Sequence, residues 1–250
     1  MTNKVISIII ATYNADKVLD VCLKSIIPQL SKEIELIMID GGSSDNTVKI
    51  IKNNRQFIEY TISEPDNGIY DAWNKGIEKS KGEWIMFIGA DDELLPNSLI
   101  EYLNLIQTKD LTLFDYISAQ NEYINNDNKL IKLLGNGAEW KLMRRGMSAA
   151  HVGSLHNKKN LFNKVGHYNL DFKLCADYEL LLRKKDNLKS YFLPRRISNM
   201  KVGGMSFSTN AIKESYEIRK THNSVSPILN KILFCRDVLA FKLFKFRKSI

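Results

Sequence analysis

Residues 84–96 read WIMFIGADDELLP, and the way this stretch divides decides the fold. Residues 84–88 are apolar without interruption, too few to span a bilayer, and have the pattern of a buried strand. The run stops at Gly89-Ala90 and delivers two adjacent carboxylates, Asp91 and Asp92, before Pro96 opens a helical pattern. Side chains alternate along a strand, but beyond its end a loop turns both carboxylates toward one crevice. Aspartates at the C-terminal edge of a buried strand stand where an open α/β sheet binds its ligand. The structural alternative for either acid is an N-cap on the next helix. A cap does not need two.

Upstream the same unit repeats. Residues 5–11, VISIIIA, form an apolar strand that ends in Thr12-Tyr13-Asn14. After it Val18, Leu19, Cys22, Leu23, Ile26, Ile27 and Leu30 recur at helical spacing. Residues 35–39 form a second strand ending at Asp40-Gly41-Gly42, and Ser43, Ser44 and Asp45 supply capping oxygens for a helix through Val48, Ile50 and Ile51. Residues 57–62 read as a third strand running into the turn Glu64-Pro65-Asp66-Asn67-Gly68. The helix that follows, about 69–79, carries Tyr70, Asp71, Trp73, Asn74 and Lys75 near its start. Such residues suit anion or nucleotide contact; a cap at Asp66 or Asn67 with Trp73 in the core accounts for them equally well. Strand and helix alternate, with acids or hydroxyls at each strand's C-terminal end. That order predicts an α/β fold with a Rossmann-like, mostly parallel sheet flanked by helices.

Past Pro96 the alternation loosens. Leu99, Leu103 and Ile106 mark a helix face, and residues 113–124 and 129–134 read as two strands around the turn Asn125-Asn126-Asp127-Asn128. Residues 135–150 show no clear period. His151 and His156 follow, and Cys175-Ala176-Asp177-Tyr178-Glu179 opens a helix with acids in its first turn. Residues 191–193 form a short strand and Gly203-Gly204 a loop. From 227 to 250 apolar residues alternate with Lys231, Arg236, Lys242, Lys245, Arg247 and Lys248 at roughly helical spacing. A basic amphipathic helix of this kind lies on an anionic bilayer, covers the sheet or pairs with another subunit.

The chain has 250 residues, 44% apolar and 26% charged, which is a globular composition able to bury a core. With 36 Lys and Arg against 28 Asp and Glu, its net charge of +8 favours an anionic partner. The basic residues gather on no nucleic-acid module, so nucleic acid is not expected. Cys22, Cys175 and Cys235 fit no zinc or redox spacing and read as reduced thiols, with Cys22 in the core. No signal-peptide pattern or span-length apolar run is present. The expected location is the cytoplasm, with membrane contact only at the inner surface.

A nucleotide-diphosphate sugar lying across these strand ends would find the chemistry it needs. Its diphosphate leaves with developing negative charge, which a divalent cation on one or two carboxylates stabilises, and Asp91 and Asp92 supply those carboxylates. Asp40 stands where a Rossmann-like sheet reads a nucleoside. A further acid must accept the proton of the attacking hydroxyl, and Asp177 is the candidate, with an N-cap as its alternative role. His151 and His156 are alternative bases, although such a pair more often serves structure or acceptor binding.

These motifs, ATYNA, IDGGSSDNT, SEPDNGIYDAWNKGI and GADD over residues 6–98, with ADYELLLR further on, resemble the family 2 glycosyltransferases of the GT-A fold. They are most similar to the bacterial polysaccharide-building members related to colanic acid and amylovoran synthesis. The resemblance implies a GT-A domain over 1–226, divided into a nucleotide-binding half (1–108) and an acceptor-binding half (109–226), with a basic amphipathic tail at 227–250. It also implies an inverting, metal-dependent transferase using Mn²⁺ or Mg²⁺. The donor would be a nucleotide-diphosphate sugar, expected to be a UDP-sugar, and the acceptor a glycan or lipid-linked oligosaccharide in surface polysaccharide biosynthesis. On the matching positions Thr12, Tyr13 and Asp40 hold the nucleoside, and Asp66 and Asn74 line the donor site. Asp92 is the expected direct metal ligand, Asp91 serves metal or ribose, and Asp177 is the catalytic base. The chain departs from the family pattern at Gly89, where many relatives carry the first acid of Asp-x-Asp-Asp. It departs again at Trp73, where others have Arg, which leaves phosphate contact to Lys75 or another residue. A sugar nucleotidyltransferase and a non-catalytic, membrane-docking partner of an assembly complex are the competing readings. The former favours a Gly-rich phosphate loop after the first strand, and Thr12-Tyr13-Asn14-Ala15-Asp16 is not one.

Overall fold

A computed structural model describes residues 3–125, 127–202 and 207–248. Asn126 of the expected hairpin turn, the Gly203-Gly204 loop and the last two residues of the tail lie outside the described residues. In chain order the elements begin β1 (Ile6–Thr12), α1 (Leu19–Ile26), β2 (Ile34–Asp40), α2 (Thr47–Asn53), β3 (Tyr60–Ser63), α3 (Ile69–Lys79) and β4 (Trp84–Gly89). Next come β5 (Glu93–Leu94), α4 (Ser98–Thr108), β6 (Tyr116–Ile124), β7 (Leu130–Leu134), α5 (Trp140–Met143) and β8 (Leu155–Asn157). The chain then runs through α6 (Asn163–Val165), α7 (Ala176–Leu182), β9 (Ser190–Lys201), α8 (Thr209–Thr221) and α9 (Pro227–Lys248).

One sheet joins these strands in the order β3-β2-β1-β4-β8-β6-β9-β5, with β7 paired to β6. The β3-β2-β1-β4 half is parallel, as the strand and helix alternation predicts, and its strands are apolar because helices cover both faces. Beyond β4 the sheet is mixed: β8 pairs antiparallel with β4 and β6, while β9 runs parallel to β6. One core cluster, under α1 and α4, gathers Ile8, Ile10, Met86 and Ile88. The other, under α3 and α7, gathers Ile9, Ile37, Phe87 and Trp73. The alternation along β1 and β4 divides their side chains between these two faces.

Several features differ from the sequence expectation, among them the strand expected at 113–124, which starts at Tyr116. The third strand starts at Tyr60 rather than at 57, because residues 55–57 close a 3₁₀ turn that leaves Phe57 exposed. The short strand expected at 191–193 is the first part of the twelve-residue β9. Its register against β6 jumps from Ser118↔Phe192 to Gln120↔Arg196. Pro194, which cannot donate to the ladder, falls in that bulge. Residues 227–248 are helical as expected, but α9 is no detached tail. Asn230 and Leu233 are buried, and the Asn230 side chain accepts from Arg219 Nε (2.7 Å) and donates to the Tyr216 carbonyl (3.0 Å).

Candidate active site

The stretch at 84–96 folds as its pattern indicates. Residues Trp84 to Ile88 of β4 are fully buried, and the strand stops at Gly89. Helix α4 does not use either acid as a cap: its N-cap is Asn97, in the left-handed region at φ 67°. Asp92 instead accepts from the Gly89 amide (3.1 Å) and is buried, while Asp91 is exposed. Burial, reinforced by Asp91 and Glu93, holds the Asp92 carboxyl well above its ordinary range against the opposing Gly89 bond.

Both carboxylates crowd the side-chain position at Gly89. A β-carbon built on Gly89 would sit 2.7 Å from Asp92 Oδ2 and 3.0 Å from Asp91 Oδ1. Both carboxylates therefore converge over the bare α-carbon of Gly89, in space a side chain would fill. Two like charges drawn together in this way are the arrangement a divalent cation relieves, and Mg²⁺ or Mn²⁺ needs only one or two protein oxygens when phosphate and water supply the rest. Among the described residues no cluster of three or more His, Cys, Asp or Glu forms a complete protein cage. The residues present fit a cation shared with a phosphate-bearing ligand.

Asp91, Asp92 and Asp177 all line one cavity of about 920 Å³. Helix α7 has Cys175 as its N-cap, without a side-chain cap bond, and Asp177 lies in its first turn. Its carboxylate Oδ1 accepts from the Tyr70 hydroxyl at 2.9 Å. Burial raises Asp177 above its ordinary 3.8, with the Tyr70 bond and local amides opposing. Tyr70 is itself pushed well above its usual range by burial and by Asp177, so it stays a donor. Tyr70 carries no sequence signal beyond its place near the start of α3; only its contact with α7 reveals its importance.

The expected nucleoside residues form a second group along the same sheet edge. Thr12 ends β1 opposite Asp40 of β2, and Ala11 lies opposite Gly89 of β4. Asp40 is fully buried and accepts from Thr12 Oγ1 (2.9 Å), Ser63 Oγ (2.6 Å), Ser43 N (2.9 Å) and Oγ (2.5 Å), and Gly42 N (3.2 Å). Burial acts to raise Asp40, but these donors outweigh it and hold the carboxyl below 3.8. Gly42 turns the chain at φ 82°, a conformation glycine adopts without strain, to bring its amide back onto Asp40. Asp66 lies against Gly41, with Oδ2 only 2.6 Å from where a β-carbon would stand, and accepts from Gly68 N (2.8 Å). Tyr13 is exposed.

Asn74 and Lys75 are placed differently from expectation. The Asn74 amide brackets the Tyr168 backbone, donating to its carbonyl (3.0 Å) and accepting from its N–H (2.9 Å), so it braces the wall behind the cavity. Lys75 pairs with Glu64 at 2.8 Å. Trp73 takes the core position, packed on Phe87 and His151. His151 is pushed down to about 3 by burial, and His156 is lowered by burial and by His151. Both imidazoles are therefore held neutral near pH 7. The cavity lining also includes the cations Lys173, Arg219 and Arg236, which no motif in the sequence marks.

The sequence profile of glycosyl transferase family 2 matches residues 7–168. The PGL/p-HBAD biosynthesis glycosyltransferases of Mycobacterium bovis and Mycobacterium tuberculosis are 28% identical over 193 residues, spanning 73% of this chain and 70% of theirs. An uncharacterized glycosyltransferase of Haemophilus influenzae is 25% identical over 227 residues, 89% of this chain and 75% of that protein. Among solved structures, residues 1–349 of S. aureus TarS in complex with UDP superpose with a TM-score of 0.68 at 15% identity, covering 94% of this chain and 70% of that one. Against a longer TarS chain the coverage falls to 39% of that protein. The mannosyltransferase PcManGT from Pyrobaculum calidifontis, in complex with GDP-Man and Mn²⁺, superposes with a TM-score of 0.64 at 13% identity, over 92% of this chain and 67% of that one. At such identities the superpositions speak for the fold, which is GT-A-like.

Proposed function

The chain belongs to glycosyl transferase family 2, and on that premise we propose that it is an inverting, metal-dependent glycosyltransferase. It moves a sugar from a nucleotide-diphosphate donor to a hydroxyl of a glycan or lipid-linked oligosaccharide in surface polysaccharide biosynthesis. The observation that carries this reading is the single cavity lined by Asp91, Asp92 and Asp177 together. Asp177 takes the proton of the acceptor hydroxyl as its oxygen attacks the anomeric carbon, opposite the departing diphosphate, and the configuration inverts. Held by Asp92 and Asp91, Mn²⁺ or Mg²⁺ would supply Lewis-acid stabilisation of the leaving diphosphate. Thr12, Asp40 and Asp66 shape the nucleoside pocket at the ends of β1 to β3, with Tyr13 as the exposed residue available to cover the base. Asn74 serves the donor side by bracing Tyr168. The solved neighbours in complex with UDP and UDP-GlcNAc favour a UDP-sugar, while the neighbour with GDP-Man keeps the base open.

Slow hydrolysis of a panel of nucleotide sugars by the pure protein with Mn²⁺ tests this reading. One donor should be hydrolysed, and Asp92→Ala should abolish the metal response. Absence of donor binding and hydrolysis, together with nucleotide binding indifferent to Asp91→Ala, would overturn it. The nucleotidyltransferase alternative predicts release of pyrophosphate from a nucleoside triphosphate in the same assay.

A further inference from the structure

Helix α9 is apolar on two opposite sides. Its inner side packs on α8, through buried Leu233 and through Phe234 against Tyr216, while Phe241 and Phe244 pack on Phe207. Its outer side carries Ile228, Ile232, Cys235, Leu239, Leu243 and Phe246, spaced by three or four residues and all exposed, from 52% at Leu243 to 75% at Ile228 where the exposure of these large apolar side chains is measured. That spacing makes one stripe, about 27 Å long at 1.5 Å per residue. At 100° per residue Lys231 and Lys242 fall on one flank of the stripe and Arg236 on the other. The single acid of the helix, Asp237, faces inward to Arg219 and pairs with its neighbour Arg236.

We propose that this outer face docks the enzyme on an anionic bilayer, with the stripe in the acyl boundary and the basic flanks at the headgroups. Charge selects this occupant. A second copy of the helix would bring lysine flanks against lysine flanks with no outward acid to answer them, whereas anionic headgroups complement both flanks. The same helix contributes Arg236 and Asp237 to the cavity wall, and the exposed Leu133 of β7 lines that cavity too. Docking therefore sets the cavity beside the headgroups. Resting on the transferase reading above, this makes the acceptor a membrane-borne one, with its glycan presented at the surface.

Sedimentation of the full chain with vesicles of 30% phosphatidylglycerol in phosphatidylcholine, and with pure phosphatidylcholine, tests the docking. Donor hydrolysis in vesicle-free solution is measured alongside as an independent report on fold and function. The wild type should bind the anionic vesicles at least tenfold better than the neutral ones. Leu239→Asp with Leu243→Asp should weaken that binding at least tenfold while leaving hydrolysis unchanged. If the double variant fails to fold, Lys231→Glu with Lys242→Glu, which leaves the apolar stripe intact, should show the same loss. Wild-type protein that stays in the supernatant, binds both lipids equally, or forms a dimer dispersed by the stripe substitutions would overturn the proposal. Vesicle binding with no hydrolysis of any donor would sink the transferase reading and leave the docking standing.

Discussion

Removing one hydroxyl, by Tyr70→Phe, isolates the contact between the donor-side helix and the proposed base. The Tyr70 hydroxyl donates to Asp177 Oδ1 at 2.9 Å, and Tyr70 is buried. A hydrogen bond to a charged group contributes about 1.5–3 kcal/mol. Because the donor stabilises only the carboxylate form, its loss makes Asp177 harder to ionise. The acidic limb of the pH profile of kcat/KM then moves to higher pH. At a fixed pH on that limb, a deficit of about 1.4–2.8 kcal/mol in ionisation lowers kcat/KM roughly ten- to hundredfold. Above the limb Asp177 is ionised in both proteins, and its higher proton affinity offsets part of the misplacement, so the plateau falls by less than about threefold. Phe keeps the ring contacts with Trp73 and Tyr168, at centroid distances of 5.4 Å and 5.2 Å, so the fold is retained. The assay is donor turnover onto acceptor, or donor hydrolysis, from pH 5 to 9. A limb that stays in place while the plateau drops would show that Tyr70 only packs. A limb that moves to lower pH would refute the direction of the coupling.

Asp177→Asn should lower turnover by roughly a hundred- to ten-thousandfold and should also raise the melting temperature near neutral pH. The folded-state pKa of Asp177 is raised above its ordinary 3.8. Its ionisation therefore opposes folding as pH rises through the raised value, and the variant's gain vanishes below pH 3.8 in a thermal melt series. Asp40→Asn should behave in the opposite sense and destabilise the fold by about 2–4 kcal/mol in a urea titration, because an amide nitrogen would face donors. Since the Asp40 carboxyl is held below 3.8, its contribution is present above that pH and is lost as pH falls through the depressed value. The Asp40→Asn protein should lack that acid-sensitive component. Gly89→Ala should raise the Mn²⁺ concentration for half-maximal hydrolysis at least tenfold, since its β-carbon intrudes on both carboxylates. Circular dichroism should be unchanged, and calorimetric Mn²⁺ binding in the presence of UDP should weaken in parallel.

How legible each part was depended on how local its cause is. The parallel half could be read because every strand from β1 to β4 is a short apolar run closed by a polar turn, and its acids arrive at the strand ends by backbone continuity alone. Asp91 and Asp92 are legible on that logic as acids at a strand end, but their crowding of the Gly89 position is something no spacing reports. The segment at 135–150 shows no period because side-chain hydrogen bonds to its backbone hold it. Tyr178 donates to the Met143 carbonyl (2.7 Å), Tyr116 to that of Ala150, and Ser148 to that of Gly137 (2.9 Å). A segment shaped by such bonds needs no period of its own. Asn74 is hard to read for the same reason: a polar residue near a helix start suggests ligand contact, while the partner that it bonds, the Tyr168 backbone, is 94 residues away.

The two halves marked out at residue 108 do not operate separately. Asp91 and Asp92 follow β4 and Asp177 lies on α7, while Tyr70 and Asn74 on α3 reach across to residues of the second half. Tyr70 sets Asp177, 107 residues further on, and Asn74 clamps the backbone of Tyr168, whose ring packs on Trp73 and Phe87. One helix, α3, thus contacts both the Asp177 side chain and the Tyr168 backbone. The aromatic layer of Trp73, Phe87, His151 and Tyr168 packs α3 against β4 and against the Tyr168 segment that Asn74 clamps.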